Sequence, residues 1–232
     1  MPDKMTNPTL SVIMPVYNEK PTLEKIIDMV LASPLFSELI IVDDHSTDGS
    51  REIIKQLNNP KIRTILRDKN GGKGAALQDG FKQATSEYVI IQDADLEYDP
   101  TEYEKLLKPV IQGKSEVVYG SRFTGEHRNM MFWHWIGNKF LSFMTSLLYN
   151  TTLSDMETCY KLIKRDILTD LKIHSKRFDV EPELTAKILK KGIRIYEVPI
   201  SYAGREFHEG KKITWRDGIV ALWVLFKYRF VN

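Results

Sequence analysis

One cysteine in 232 residues, Cys159, leaves no partner for an internal disulfide and no thiolate pairs for a zinc site. That scarcity suits a reducing compartment. Charge of one sign is equally scarce: 33 Lys+Arg against 31 Asp+Glu leave a net charge of +2, too balanced for a chain that holds nucleic acid by bulk electrostatics. The 13 glycines and 10 prolines are too few for a collagen-like or low-complexity chain. No apolar run approaches the ~20 residues that span a bilayer, the longest clean run being residues 219–226. The first nine residues are polar and the apolar stretch 10–16 is too short for an export-signal core, so a cytoplasmic protein is expected.

What is there is a core. Hydrophobic residues make up 42% of the chain and aromatics 10%, which excludes wholesale disorder, and 26.9 kDa fits one large domain. Short runs rich in Val and Ile alternate with amphipathic segments. Strands are expected at residues 10–14 (LSVIM), 38–43 (ELIIVD), 62–66 and 88–92, with helices at 21–31, 48–57 and 74–84 between them. Thr47 or Asp48 is a plausible N-cap of the second helix. Continuous apolar strands alternating with helices predict an α/β fold, a mostly parallel Rossmann-like sheet with helices on both faces.

In such sheets ligands sit beyond the carboxyl ends of the strands. Three of the four strands run into polar clusters there: PVYNE (15–19), DDHSTDGS (43–50) and DADLE (93–97). Asp93, Asp95 and Glu97 are spaced by two, so an extended backbone past Gln92 would turn all three carboxylates to one face. Three carboxylates on one face repel unless a cation joins them, and oxygen-only ligands suit Mg²⁺ or Mn²⁺. A divalent ion with open positions is what a departing diphosphate needs. The NGGKG turn (70–74) is flexible and cationic, but it lacks the spacing of a P-loop and of a dinucleotide fingerprint, which disfavours a nucleotide triphosphatase or a dehydrogenase.

Taken in order, PVYNE, VDDHSTDGS (42–50), GGKGAAL (71–77) and QDADLEYDP (92–100) resemble family 2 glycosyltransferases of the GT-A fold. GSRF (120–123), DMETCYK (155–161) and REFHEGKK (205–212) narrow the resemblance to the dolichol-phosphate mannose synthase group and its bacterial polyprenyl-phosphate relatives. The resemblance runs from about residue 10 to 217 and implies a single GT-A domain over residues 1–232. It implies that Pro15, Tyr17 and Glu19 line a nucleoside pocket and that Val42 and Asp44 contact the base. Lys73 joins the nucleotide-sugar-binding set. Asp93 and Asp95 would bracket the sugar diphosphate and the metal, with Ala94 small enough for close approach and Glu97 standing where relatives often carry Gln. Arg122 would face the sugar or the acceptor, and Arg205 and Lys211 would close over the diphosphate. From residue 203 onward six Lys/Arg stand against three acidic residues, a local excess of cations that fits an anionic ligand.

Two segments, near residues 130–149 and 214–229, are candidates for helices lying in a bilayer interface, since both carry tryptophans on an apolar face. Relatives usually add C-terminal transmembrane helices; the sequence stops at Asn232 without them, so peripheral attachment at the cytoplasmic face or a membrane partner subunit is expected. The implied reaction is an inverting transfer of a hexose, mannose or glucose in type, from a GDP- or UDP-hexose to a polyprenyl phosphate. A phosphate acceptor, largely dianionic at neutral pH, needs little help from a base, and Arg122, Arg128 or Lys139 would suffice to position it. A saccharide hydroxyl would demand a base, for which Asp155 is the nearest candidate. A non-catalytic nucleotide-sugar-binding subunit is the third reading.

Overall fold

The computed structural model describes residues 8–205 and 214–231. Its first half is a run of strand–helix units: β1 (Leu10–Val16), α1 (Lys20–Ala32), β2 (Glu38–Asp43), α2 (Ser50–Gln56), β3 (Ile62–Leu66), α3 (Lys73–Gln83) and β4 (Tyr88–Ile91). Every residue of β2 and β4 is buried, as expected of strands covered on both faces, whereas β3 is only partly covered and turns Arg63 and Thr64 outward, which suits an edge. Helix α1 lays Leu23, Ile26, Ile27 and Val30 on the sheet, a stripe at helical spacing. Helix α3 comes close enough that a Cβ at Gly80 would collide with the Ile13 side chain.

The second half adds α4 (Tyr103–Ile111), β5 (Val117–Ser121), α5 (Phe132–Tyr149), β6 (Lys161–Lys164), α6 (Arg165–Asp170), α7 (Val180–Lys190), β7 (Tyr196–Pro199) and α8 (Trp215–Phe230). The strands form one seven-stranded sheet in the order β3-β2-β1-β4-β6-β5-β7. Strands β1 to β4 pair in parallel, β6 runs antiparallel to both β4 and β5, and β7 is parallel to β5. The sheet is thus mixed but mostly parallel. The strand order reverses between β1 and β4, so their carboxyl ends open the crevice where such folds bind ligands.

A second, smaller apolar cluster holds the C-terminal helix. Ala221, Val224, Leu225 and Tyr228 of α8 pack with Leu141 of α5, with Ala186 of α7 and with Met156 from the loop before β6. Among the described residues no helix is long and apolar enough to cross a membrane.

Candidate active site

The loops after β1 and β2 are knitted to each other before any ligand is considered. The Asn18 and Glu19 amides donate to Ser46 Oγ and Ser50 Oγ, each at 3.0 Å, the Lys20 amide to Asp48 Oδ2 at 2.9 Å, and the Thr47 amide to Asn18 Oδ1 at 2.8 Å. Asn18 (φ 54°) and His45 (φ 66°) both hold left-handed backbone, a strained state that recurs at functional edges. Much of the DDHSTDGS cluster is therefore spent on shaping the first loop. Asp43 pairs with Arg51 at 2.5 Å, and Gly49 rather than Thr47 or Asp48 occupies the N-cap of α2, with the Asp48 carboxylate accepting from the Ser50 amide at 2.9 Å.

Residues expected at the nucleoside fall into two groups. Pro15 is half-buried and Tyr17 exposed at the end of β1, with Glu19 two residues on. Val42 is fully buried in the sheet under α3, so its side chain offers no surface to a base. Asp44 is turned to the glycine turn: it accepts from the Gly71 and Gly72 amides at 2.9 and 2.7 Å and pairs with Arg67 at 2.5 Å. That turn needs its glycines for a packing reason. Gly72 has φ +87°, and a Cβ there or at Gly74 would strike the backbone of Ser175 and Lys176. The turn aims Lys73 inward, where its ammonium meets Asp93 at 2.9 Å and Glu181 at 2.8 Å.

Beyond β4 the chain does not stay extended. Gln92 is buried and accepts from the Tyr103 and Tyr160 hydroxyls at 2.8 and 2.7 Å, and bends follow from residue 94. The backbone is therefore not extended here, a correction to that expectation, and the three carboxylates take different ion-pair partners while Asp93 and Glu97 both stay near enough to act on Asp95. Asp93 goes to Lys73, while Asp95 and Glu97 go to Arg205. The Arg205 guanidinium lies 2.5 Å from Asp95, 3.3 Å from Glu97 and 3.1 Å from Glu19, and its amide donates to Glu97 at 2.8 Å. Burial would raise the Asp93 carboxyl, but Lys73 outweighs it and holds the group below the usual range. Asp95 is pushed up to about 8 by burial and by the charges of Asp93 and Glu97, against the pull of Arg205. Ala94 is buried, and its carbonyl accepts from Thr22 at 2.8 Å.

Among the described residues no three acidic, His or Cys groups stand together as a ready metal shell. The donor set still fits a divalent cation. It is all oxygen, Arg205 already places a cation against Asp95 and Glu97, and Glu181 leaves one buried carboxylate oxygen, Oε2, without a hydrogen bond.

The acidic edge continues into a cationic one. The Tyr202 hydroxyl donates to Glu97 at 2.8 Å, and the Arg122 guanidinium lies 5.3 Å from the Tyr202 ring centre. Arg122 is gripped by Asp155, which accepts from Nε and Nη2 at 2.7 Å each and from the Arg122 amide at 2.9 Å. Arg122 also donates to Asn138 of α5 at 3.2 Å, and Lys139 stacks over Phe123 at 4.2 Å. Asp155 is fully buried, and its loop is pinned by Glu197, which accepts from the Ser154 and Asp155 amides. The Arg128 amide donates to the Tyr202 carbonyl at 3.0 Å. Lys211 lies outside the described residues. Tyr202, Glu181 and Glu197 are site-building residues that sequence reasoning passed over; each acts through a partner distant in the chain and carries no local motif.

A mostly parallel sheet whose strand order reverses at a crevice walled by carboxylates and arginines defines a class by its fold, the GT-A type. The family model described as "Glycosyl transferase family 2" matches residues 11–172, and the chain belongs to that family; it is a glycosyltransferase. It is 29% identical over 224 residues to UDP-N-acetylglucosamine–dolichyl-phosphate N-acetylglucosaminyltransferase of Methanococcus voltae, covering 88% of this chain and 89% of that one. It is 29% identical to the low-salt glycan biosynthesis hexosyltransferase Agl6 of Haloferax volcanii, over 97% of this chain but 54% of the relative. In fold it is similar to glucosyl-3-phosphoglycerate synthase from Mycobacterium tuberculosis in complex with UDP, at a TM-score of 0.73 and 21% identity over 97% of this chain and 81% of the other. Mannosyl-3-phosphoglycerate synthase from Rubrobacter xylanophilus gives a TM-score of 0.74 at 18% identity, covering 95% and 72%. Further structures of that M. tuberculosis synthase are complexes with Mn²⁺ and UDP or UDP-glucose.

Proposed function

We propose that the protein transfers a hexose from a nucleotide diphosphate sugar to a polyprenyl phosphate, with inversion and with a divalent cation at Asp93 and Asp95. The observation that carries this reading is an unbroken chain of contacts, Asp95–Arg205–Glu97–Tyr202–Arg122–Asn138, from the acidic edge to helix α5. On either side of Asn138, α5 exposes Trp133, Phe140, Phe143 and Leu147, and α8 exposes Trp215, Ile219 and Trp223. A lipid phosphate needs that join: a cation for its head near the donor and an apolar surface for its tail. The relative from M. voltae is named for a dolichyl-phosphate acceptor, which agrees.

Donor-side roles follow from position. Tyr17 and Pro15 line the nucleoside, Lys73 neutralises Asp93, and Arg205 exchanges its carboxylates for the donor diphosphate. Bound there, the cation would neutralise charge on the departing diphosphate, held by Asp93 and Asp95 with Glu97 beside them. Arg122, with Arg128 and Lys139 nearby in sequence and space, orients the acceptor phosphate. A phosphate oxygen attacks the anomeric carbon, the bond from that carbon to the diphosphate breaks, and the nucleoside diphosphate leaves. The acceptor is largely dianionic at pH 7, since its second pKa is about 6, and has no proton to surrender. The saccharide reading requires Asp155 as a base, yet both its oxygens are committed to Arg122 in a buried pair. The test is a panel of GDP- and UDP-hexoses with Mg²⁺ or Mn²⁺, offered polyprenyl phosphate in detergent and soluble saccharides in parallel. Labelled lipid from one donor is expected; labelled saccharide without labelled lipid overturns the acceptor assignment.

A further inference from the structure

Helix α8 is apolar on two opposite faces. Ala221, Val224, Leu225 and Tyr228 face the protein. On a helix of ~3.6 residues per turn, Trp215, Ile219, Trp223, Phe226 and Phe230 fall on the far side as one stripe. All five are exposed, Trp215 at 73% and Trp223 at 67%. Cations border that stripe on both sides, Arg216 and Lys227 along one margin and Arg229 along the other. Asp217 is the one acidic residue of α8, and its carboxylate is spent on a capping box with Thr214. Helix α5, packed beside α8, carries no acidic residue at all.

Against the first turn of α8 lies an open cavity of about 800 Å³. One wall is His174, Lys176, Arg177 and Asp179, from the loop leading into α7; the other includes Trp215, Arg216 and Asp217. Of its two carboxylates, Asp217 serves the capping box and Asp179 accepts from the Arg177 amide at 2.9 Å. Lys176, Arg177 and Arg216 are exposed and face no carboxylate within ion-pair distance among the described residues. A cationic notch that opens beside an exposed tryptophan stripe matches an anionic membrane surface: rings reach the acyl boundary while the cations stay at the phosphates.

We propose that the notch formed by Lys176, Arg177 and Arg216 binds phosphate groups of an anionic phospholipid bilayer and so fixes the angle at which α8 lies on it. The proposal rests on reading the α5–α8 face as lipid-facing. It adds the class of lipid recognised and a site whose charged residues are none of those assigned to the donor or the acceptor. Each cation near an anionic surface contributes about 1 kcal/mol, and the charges of Asp179 and Asp217 lining the same cavity offset part of that, so the notch gives on the order of a tenfold preference for anionic over neutral vesicles at low salt.

The experiment is co-flotation of the full chain with phosphatidylcholine vesicles and with vesicles holding a third phosphatidylglycerol. Donor affinity is measured in parallel by calorimetry. The expected result is weak binding to neutral vesicles, much stronger binding to anionic ones, and loss of that gain in Lys176→Glu/Arg177→Glu/Arg216→Glu or in 0.5 M salt (roughly a 4 Å Debye length). Donor affinity stays unchanged. If the triple variant unfolds, Lys176→Gln/Arg177→Gln replaces it and should lose most of the gain. Equal binding to both vesicle types overturns the notch while leaving the lipid-facing reading intact; binding to neither overturns both. A gain retained by a folded variant also overturns the notch, and a fall in donor affinity assigns the cavity to the donor site instead.

Discussion

Arg205 holds three carboxylates that the proposed cation and the donor diphosphate would each claim in part. Glu19, Asp95 and Glu97 all lie within 3.3 Å of its guanidinium, so a divalent ion must displace this cation from Asp95 before it can bind there. Arg205→Gln should therefore bind Mn²⁺ several-fold more tightly than the wild type when no nucleotide is present, read by calorimetry. It should bind the donor more weakly, because the diphosphate loses a charged partner worth about 1.5–3 kcal/mol. Equal Mn²⁺ affinity in the two proteins would remove the competition from the account. Asp155 is read differently from a base. Its carboxylate holds Arg122 by two bonds of 2.7 Å in a buried pair, and removing one partner of such a pair costs about 3–5 kcal/mol. Asp155→Asn is expected to lower the melting temperature by several degrees along with activity. A variant that loses turnover at full thermal stability would restore Asp155 as the leading base.

Single elements position these residues, and α7 shows how. Its Glu183 accepts from the His174 and Ser175 amides at 3.0 and 2.6 Å and pairs with Lys187 at 2.5 Å, tying the loop that touches Gly72 and Gly74 to the helix. Burial pushes the Glu183 carboxyl up, but Lys187 and these amides prevail and its pKa lies below 4.5. A depressed carboxylate contributes stability that is full above its unfolded value and is lost as pH falls through the folded one. Glu183→Gln should therefore destabilise the protein at pH 7 by about 2 kcal/mol and flatten the fall in stability below pH 4.5, measured by urea titration at several pH values. The β1–β4 half was legible from its sequence because buried parallel strands read as unbroken Val/Ile runs between helices. Strand β6 was not: KLIK is short, and nothing in its residues says that it runs backwards between β4 and β5. The candidate site was legible where motifs are local, as at Asp93, Asp95, Arg122 and Arg205, which the fold brings to one crevice. It was illegible where a partner comes from afar: Tyr202 reaches Glu97 across 105 positions and Glu181 reaches Lys73 from another helix. The extended backbone expected past Gln92 is absent: the strand ends at Ile91, and the buried Gln92 side chain is held by the Tyr103 and Tyr160 hydroxyls.

At the scale of the whole molecule, polar chemistry and apolar surface are joined through one helix. Arg122 touches Asn138 near the middle of α5, and the same helix exposes Trp133 at 77% and Phe143 at 62%. Residues so exposed contribute little to folding, and substitution at such positions usually changes stability by no more than about 0.5 kcal/mol. Their cost to solubility implies another use, since contiguous aromatic surface of this kind marks a contact site. If that use is the lipid acceptor, activity toward it should depend on these rings while the donor site, several contacts away, does not sense them. Phe140→Asp and Trp223→Asp each remove a large ring and add a charge that resists burial in lipid. Each is expected to cost roughly tenfold in kcat/KM for a polyprenyl phosphate, equivalent to about 1.4 kcal/mol of lost contact. Donor affinity and melting temperature should stay at wild-type values. The pair separates the two roles of the face: a loss confined to vesicle binding, with full turnover of detergent-dissolved acceptor, would make the rings an anchor only, whereas a loss in detergent as well places the acceptor's isoprenoid chain along α5.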